Sequence, residues 1–194
     1  MTRDLAERRG VETTVYGAAA DSQLLVDAAV ETVEAVEKPL MALDCGTGSG
    51  YVGGKLAEVD ARVIASDLNP HACAQAHNRG LETVRGNLLE PFHAGVFDLV
   101  VFNPPYLPTN PENEWDDWME VALSGGESGR AVIEPFLDSV GRVLAPDGVV
   151  LLLVSSLTGF ETVVEYAEKQ GFESEVIAEE SFPFETLSVL EIAR

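Results

Sequence analysis

The sequence predicts an α/β fold: a seven-stranded, mostly parallel sheet with helices on both faces and an antiparallel last strand. Strand-like and helix-like segments alternate along the 194 residues. The first two strong strands each end in an acid, Asp44 and Asp67, and glycines follow the first. The last two strand-like segments are close together in sequence, which suggests that the final strand is inserted antiparallel.

The predicted strands are short apolar runs, and the fifth is the most apolar, so we expect it near the centre of the sheet. They cover Leu40–Asp44, Arg62–Asp67, Glu82–Arg85, Phe97–Phe102, Gly148–Val154, Phe172–Ile177 and Thr186–Ile192. Helical patterns cover Asp21–Val36, Tyr51–Glu58, Pro70–Asn78, Ser128–Val143 and Thr158–Lys169. Asn69 before Pro70 indicates an N-cap followed by proline in the first helical position.

The composition predicts a single domain over 1–194, with a flexible N-terminus over 1–14. Hydrophobic residues make up 46% of the chain, which favours a packed core over disorder. The first ten residues are charged and lack the apolar stretch of a signal peptide, and no apolar run is long enough to cross a bilayer. We therefore expect a cytoplasmic protein.

The charge of the chain is strongly negative. Acidic residues number 33 against 12 basic ones, which gives a net charge of −21. The acids are spread over the predicted helices, and this pattern is typical of a halophilic protein, because high salt screens the self-repulsion. An acidic patch for a basic partner is the alternative. Unaided binding to a nucleic-acid backbone is disfavoured, since it needs clustered Lys and Arg.

A glycine-rich turn follows the first strong strand and opens a helix: residues 44–50 read Asp-Cys-Gly-Thr-Gly-Ser-Gly. This spacing differs from both the dinucleotide motif and the phosphate loop. An acid before the glycines suits a cation such as the amino group of S-adenosylmethionine. Asp67, about 20 residues later, stands where an acid typically binds ribose hydroxyls. Taken singly, the turn also fits a tight connection without ligand, and Asp67 also fits an acid at a helix N-terminus.

Asn103-Pro104-Pro105-Tyr106 directly follows the fourth strand. Two prolines hold the backbone rigid and keep the preceding residues out of helical geometry. The side chain of Asn103 and the carbonyl of Pro104 can then act as two fixed acceptors for a planar NH2 group. They would orient its nitrogen for attack on a methyl group, and no strong base would remove its proton. Tyr106 is expected to stack on that group. The alternative is a proline-capped turn that only ends the strand.

With these two motifs the chain resembles the Rossmann-like class I S-adenosylmethionine-dependent methyltransferases. Within them it is similar to the HemK group of glutamine methyltransferases, which modify the Gly-Gly-Gln loop of peptide-chain release factors. The similarity runs from about Val15 to the end. Val15-Tyr16 with 21–25 (Asp-Ser-Gln-Leu-Leu) resembles the opening of the archaeal and eukaryotic branch, and 182–190 resembles its final hairpin. Ala18 and Ala20 replace that opening's usual Pro and Glu.

The resemblance implies a role for each matching position. Asp44 and Gly46 would hold the methionine part of S-adenosylmethionine, Asp67 the ribose, and Asn87 the adenine, where the family usually has an acid. The implied cofactor-binding residues are Ser22, Asp44, Gly46, Gly48, Asp67, Asn87 and Asn103. The implied catalytic residues are Asn103, Pro104 and Tyr106, and the substrate-binding residues are Asn103, Pro104, Pro105 and Tyr106.

The resemblance also implies a partner, because the short catalytic chains of this branch work with a small zinc-binding activator subunit in a heterodimer. Strand 82–85 at an exposed sheet edge, with Leu88, Leu89 and Phe92 beside it, could accept that subunit by strand addition. When Leu88, Leu89 and Phe92 are considered alone, we favour the alternative that they close the core. The other expected partner is the release factor; no membrane and no direct nucleic acid are expected.

Other functions fit the residues less well. A methyltransferase acting on the exocyclic amine of adenine or guanine in DNA or RNA would use the same Asn-Pro-Pro-Tyr chemistry, but it usually needs a basic face or a recognition domain. A cofactor-binding scaffold would not need that loop. Cys45 and Cys73 lie in no metal-binding arrangement, so no metal is expected. The segment 109–129, with Trp115 and Trp118, is long enough to recognise substrate or to form a mobile lid.

Overall fold

The computed structural model describes residues 20–109, 118 and 122–194. The helices with described bounds are α1 (Ala20–Glu34), α2 (Tyr51–Ala57), α3 (Pro70–Asn78), α4 (Ile133–Val143) and α5 (Phe160–Lys169). The strands are β1 (Met41–Cys45), β2 (Arg62–Asp67), β3 (Glu82–Arg85), β4 (Phe97–Phe102), β5 (Leu144–Ser155), β6 (Glu173–Ser181) and β7 (Thr186–Ala193). A 3₁₀ turn covers Ser156–Thr158. The expectations for 1–14, Val15-Tyr16, Ala18 and Trp115 lie outside the described residues.

The seven strands form one sheet in the order β3-β2-β1-β4-β5-β7-β6. Neighbours from β3 to β5 are parallel, whereas β7 lies antiparallel between β5 and β6. The predicted mostly parallel sheet with an antiparallel last strand is therefore confirmed. From β1 the chain moves outwards in one direction and from β4 in the other. In open α/β sheets, ligands bind beyond the carboxyl ends of the strands at such a reversal.

Helices cover both faces of the sheet and divide the apolar core in two. On one face α1 and α2 contribute Leu25 and Leu56, and on the other α4 contributes Phe136. Strand β5 serves both halves: Leu151 and Leu153 pack on the first face, and Val150, Leu152 and Val154 on the second. Successive side chains of a strand point to opposite faces, so a strand buried on both sides has a continuous apolar run. No helix among the described residues is long and apolar enough to cross a membrane.

Four predicted elements, α3, β2, β3 and β4, have the bounds that the sequence indicated. The largest differences concern α4, β5 and β6, of which β6 ends at Ser181 rather than Ile177. Helix α4 begins at Ile133 rather than Ser128, because Gly129 has a φ of +74°, which a right-handed helix does not use. Strand β5 begins at Leu144 rather than Gly148, because it continues across an irregularity in its pairing with β4.

Candidate functional site

The glycine turn between β1 and α2 is built from left-handed backbone. Gly46, Gly48 and Gly50 have φ values of +62°, +52° and +75°. A Cβ on Gly46 would lie 3.1 Å from the ring of Phe102, and one on Gly50 would lie 2.9 Å from the Cα of Ala76. Residues with a side chain are strained in this conformation, and here they also meet packed atoms. The turn therefore depends on glycine for both conformation and space.

Asp44 lies in β1 just before this turn and is buried. Its Oδ2 accepts hydrogen bonds from Oγ1 of Thr47 at 2.6 Å and from the backbone N of Gly53 at 2.8 Å. Its Oδ1 receives none from the described part of the chain. Burial raises the pKa of Asp44 to about 6, and these two hydrogen bonds oppose the rise. A cationic group at Oδ1 would compensate the buried charge.

Asp67 is fixed between the glycine turn and the start of α3. Its Oδ2 accepts from the backbone N of Gly48 at 2.9 Å, and its Oδ1 accepts from that of Asn69 at 2.8 Å. Burial raises the pKa of Asp67 as well, again against the effect of the backbone donors. Asn69 is the N-cap of α3 and accepts from the backbone N of His71, with Pro70 first in the helix, as the sequence predicted.

The Asn-Pro-Pro-Tyr loop leaves the sheet next to the glycine turn. Cys45 of β1 pairs with Phe102 of β4, so the residues that follow them, Gly46 and Asn103, emerge side by side. The side-chain amide of Asn103 and the carbonyl of Pro104 form no hydrogen bond with any described residue. Both acceptors therefore remain available at the point where the two loops meet.

A cavity of about 200 Å³ opens at the carboxyl ends of β1, β2 and β4. It brings together eight of the predicted site residues: Ser22, Asp44, Gly46, Gly48, Asp67, Asn87, Asn103 and Pro105. Pro104 and Tyr106 do not line it. They line a second, smaller cavity, which also includes Asp21 and shares Asn103, Pro105 and Ala122 with the first. The predicted residues thus line two neighbouring chambers, with Asn103 in the wall of both.

Tyr106 is only 5% exposed and packs among the apolar residues of the core. Its hydroxyl donates to Oδ2 of Asp21 at 3.3 Å, and Asp21 is itself buried. Our sequence reading gave Asp21 no role, because an acid in the first turn of a helix is common and its partner lies far along the chain.

The walls of the main cavity include residues that the sequence reading missed. Leu68 follows Asp67, Leu88 follows Asn87, and Val132 precedes α4; all three line the cavity. Trp118, for which we left two roles open, lines it too. The first two could have been found, because the residue after a polar group at a strand end faces the same cleft. Nothing in the sequence indicates Val132, which reaches the cavity only through the fold.

Asn87 follows strand β3 and is exposed at the rim of the main cavity. Its side-chain nitrogen donates to Oε1 of Glu90 at 2.9 Å, which leaves the carbonyl oxygen as the free acceptor. Strand β3 is an edge of the sheet, as expected. Leu89 is buried in the core, and the ring of Phe92 packs edge-on against Phe97, so these two residues close the core.

Among the described histidines and cysteines, only Cys45 lines the main cavity. His71, His77 and His93 are exposed. Cys45 is buried and Cys73 is half-buried, and burial raises the pKa of both thiols. Within the described ranges, no group of three or more His, Cys, Asp or Glu side chains could hold a metal ion. The described carboxylates that line the cavity are therefore those of Asp44 and Asp67, beside the amide of Asn103.

Comparisons with known proteins agree with this geometry. Residues 43–105 match the family model described as a methyltransferase domain. The chain is 33% identical to MJ0928 of Methanocaldococcus jannaschii, provisionally named a protein N5-glutamine methyltransferase, over 91% of this chain and 90% of that one. It is 30% identical to human methyltransferase HEMK2, over 96% and 92% of the two chains.

A solved structure with 29% sequence identity is similar over nearly the whole chain. It belongs to the E. cuniculi Mtq2–Trm112 complex, described as responsible for methylation of the eRF1 translation termination factor. The TM-score is 0.78 at 29% identity, and the match covers 94% of this chain and 99% of that one. The two chains therefore share most of this fold.

Proposed function

The chain belongs to the HemK-like class I S-adenosylmethionine-dependent methyltransferases, and on this basis we propose that it methylates the side-chain amide nitrogen of glutamine in the Gly-Gly-Gln motif of a peptide-chain release factor. One observation carries the proposal: two acceptors, at Asn103 and Pro104, which bond to no residue in the described part of the chain, lie beside the glycine turn that follows a buried acid. Relatives named for glutamine methylation and for eRF1 methylation support the same substrate.

The main cavity has the donors and acceptors that S-adenosylmethionine requires. The cofactor supplies, when bound, a methyl group on a positively charged sulfur. Asp44 would accept hydrogen bonds from its amino group, and Asp67 would bind the ribose hydroxyls. Asn87 would accept from the adenine amine through its carbonyl oxygen, and the apolar side chains of Leu68 and Leu88 would enclose the ring.

The two acceptors in the wall of the second chamber suit a planar amide. Oδ1 of Asn103 and the carbonyl oxygen of Pro104 would each accept one N–H of the target glutamine, which fixes the plane of the NH2 group. An amide nitrogen is a poor nucleophile because its lone pair is delocalised, so the reaction gains from holding that lone pair towards the methyl group. Both acceptors are neutral, and they therefore act by orientation and electrostatics rather than by removing the proton as strong bases.

We further propose that the chain works as a heterodimer with a small zinc-binding activator. The support is the complex in which the E. cuniculi Mtq2 chain was solved with Trm112. Strand β3 is a free edge whose unpaired backbone groups a partner strand could bond. Co-expression with such an activator should give a one-to-one complex by light scattering, and a chain that stays monomeric beside the activator would contradict this proposal.

Three further proposals concern the chain as a whole. All described strands join one sheet, which supports a single domain over 1–194.

The excess of acids, with a net charge of −21, supports a location in a cytoplasm that is rich in salt. Screening by salt should then raise the melting temperature between dilute buffer and molar KCl, whereas a constant or falling value would argue against a halophilic protein.

The proposed function is tested by transfer of labelled methyl groups at high salt, with and without the activator. The substrates are a release factor with Gly-Gly-Gln, the same factor with its glutamine changed to alanine, and a panel of DNA and RNA. We expect label on the intact factor alone, and more of it with the activator. Label on nucleic acid without label on the factor would reject the glutamine proposal in favour of an exocyclic-amine methyltransferase.

A further inference from the structure

Two of the most exposed apolar side chains lie at the same edge of the sheet as the active site. Phe184 is 93% exposed at the turn between β6 and β7, and Leu157 is 44% exposed in the 3₁₀ turn that follows β5. Strand β7 is antiparallel to β5, so the turn before it lies at the carboxyl end of β5. Both side chains are therefore on the side of the sheet from which substrate approaches.

Hydrogen bonds join these two turns into one surface. Oγ of Ser155 donates to Oε2 of Glu185 at 2.9 Å, and the backbone N of Thr186 donates to Oγ of Ser156 at 3.0 Å. The turn that holds Phe184 is itself closed by a bond from the backbone N of Phe182 to the carbonyl of Glu185. We call the exposed side chains of Leu157 and Phe184, on these two bonded turns, the rim pair.

The rim pair is linked by packed backbone to the second chamber. Arg130 donates to the carbonyl oxygen of Thr158, the residue after Leu157. A Cβ on Gly129 would lie 2.7 Å from the carbonyl oxygen of Tyr106 and 3.1 Å from Cγ2 of Thr158. The segment through Gly129 therefore packs between the Asn-Pro-Pro-Tyr loop and the turn that contains Leu157. A protein whose glutamine enters the second chamber would extend over this segment towards the rim pair.

The charges beside Phe184 are acidic, and Arg130 beside Thr158 is paired with Glu134 at 3.3 Å. Glu179 and Glu180 lie near the end of β6 and are exposed, and Glu185 lies within the turn. An apolar pair flanked by carboxylates fits a protein surface that presents an apolar patch with basic residues around it. A single glutamine side chain offers too little buried area for specific recognition, so contacts outside the chamber are required.

We infer that the rim pair docks the folded domain of the protein substrate around the loop that carries the target glutamine. This inference rests on the proposed function and adds to it a second point of substrate contact, separate from the chambers. The occupant is the substrate because the surface is continuous with the chamber that takes the glutamine. The activator would instead bind at the edge strand β3, which three other strands separate from β5 in the sheet.

The test compares Leu157→Ala, Phe184→Ala and the double variant with Ile177→Ala, a control that removes a side chain 39% exposed in the middle of β6. Two substrates are used with labelled cofactor: the intact release factor and a short peptide bearing Gly-Gly-Gln. For the factor, we expect KM to rise about tenfold in the double variant while kcat at saturating factor stays within about twofold. Peptide methylation and the control should match wild type, and circular dichroism should show an intact fold.

Several outcomes would overturn the inference. An unchanged KM for the factor removes the docking role, and an equal loss with factor and peptide moves the effect into the chambers. Loss of the activator complex, or of a dimer of this chain, in light scattering would assign the rim pair to that partner instead. If wild type labels neither substrate, the proposed function itself fails and the inference falls with it. If Phe184→Ala and Leu157→Ala label the factor as well as wild type does, the proposed function stands and only the docking surface is rejected.

Discussion

The hydroxyl of Tyr106 donates a hydrogen bond to the carboxylate of Asp21, 85 residues earlier in the chain. Both residues are buried, and both line the smaller chamber. Ser22, the neighbour of Asp21, lines the larger one. The first turn of α1 therefore contacts both chambers, and this hydrogen bond fixes the end of the Asn-Pro-Pro-Tyr loop to the same turn. We therefore predict a positioning role for Asp21, because it would act through Tyr106 on the residues that would hold the amide.

Removing this hydroxyl tests that role. Tyr106→Phe keeps the ring but leaves a buried carboxylate with one donor fewer, and we expect a loss of about 1–3 kcal/mol in the free energy of unfolding. We also expect kcat to fall more than KM changes, because the loop loses its fixed geometry. The matched control is Tyr166→Phe, which removes a hydroxyl bonded at 2.8 Å to the exposed Asp138. Unfolding in urea and steady-state kinetics give the two readouts, and equal effects of the two variants would contradict the positioning role.

Asn103→Ala should separate catalysis from cofactor binding. The variant removes one of the two acceptors, so we expect kcat to fall about 100- to 1000-fold, as for loss of a fixed hydrogen-bonding group in other active sites. Affinity for the cofactor should change much less, since the two buried carboxylates remain. Asn78→Ala, at the exposed end of α3, is the control. Titration calorimetry and methyl transfer measure the two quantities; nearly full activity in Asn103→Ala would reject its catalytic role.

Cofactor affinity should depend on pH through Asp44. Its carboxyl must be ionised to bind a cation, and its pKa is about 6 without ligand. We expect Kd to weaken by about tenfold for each pH unit below 6 and to level off above it, with proton release on binding below pH 6. Burial also raises the pKa of Asp67. Asp67 therefore adds a second pH dependence of the affinity, which should remain in Asp44→Asn. Calorimetry in buffers of different ionisation enthalpy counts the protons, and an affinity that is flat between pH 5 and 8 would exclude this mechanism.

The same carboxyl should lower the stability of the ligand-free protein at neutral pH. Its pKa is raised from 3.8 to about 6 by burial, so its protonated form favours the folded state. This stabilisation is present below about pH 4 and is lost as the pH rises through 6, by an amount on the order of 3 kcal/mol. Asp44→Asn should therefore be more stable than wild type at pH 8 and bind cofactor worse. Urea unfolding at pH 5 and pH 8 checks the sign, and a less stable variant at pH 8 would contradict it.

Two glycine-to-alanine variants should have opposite effects. Gly46→Ala places a side chain at a φ of +62° and 3.1 Å from the ring of Phe102, and we expect a loss of about 1–3 kcal/mol. Gly54→Ala, inside α2, has no atom within 4 Å of the new Cβ and should stabilise by about 0.5–1 kcal/mol. Thermal unfolding compares them directly. Equal shifts in the two variants would mean that the turn does not require glycine.

The sequence was sufficient for the order of elements and for the placement of Asp44 and Asp67 at one cavity. Asp44 and Asp67 end neighbouring parallel strands, and the carboxyl ends of such strands meet at one edge, so their proximity followed from the pattern alone. The antiparallel placement of the last strand followed from the short connection before it. These features depend on local sequence and on the general rules of α/β sheets.

Contacts between distant segments could not be predicted in this way. The hydrogen bond from Tyr106 to Asp21 joins a residue at the end of a loop to one in the first turn of a helix. No periodicity of the sequence relates these two positions. The division of the site into two chambers depends on how α1 and the loop of Asn103 pack together, which is a property of the tertiary structure. Val132 reaches the cavity for the same reason, because the left-handed backbone at Gly129 delays the start of α4.

The insertion of β7 between β5 and β6 leaves the sheet with two unequal free edges. One is the four-residue β3, and the other is the nine-residue β6. A long free edge invites strands from other molecules to add to it and start aggregation. Strand β6 carries four exposed glutamates, at 173, 175, 179 and 180, and their mutual repulsion opposes the approach of a second copy. The acidic composition therefore protects this chain against self-association at its longest edge for as long as those glutamates are ionised.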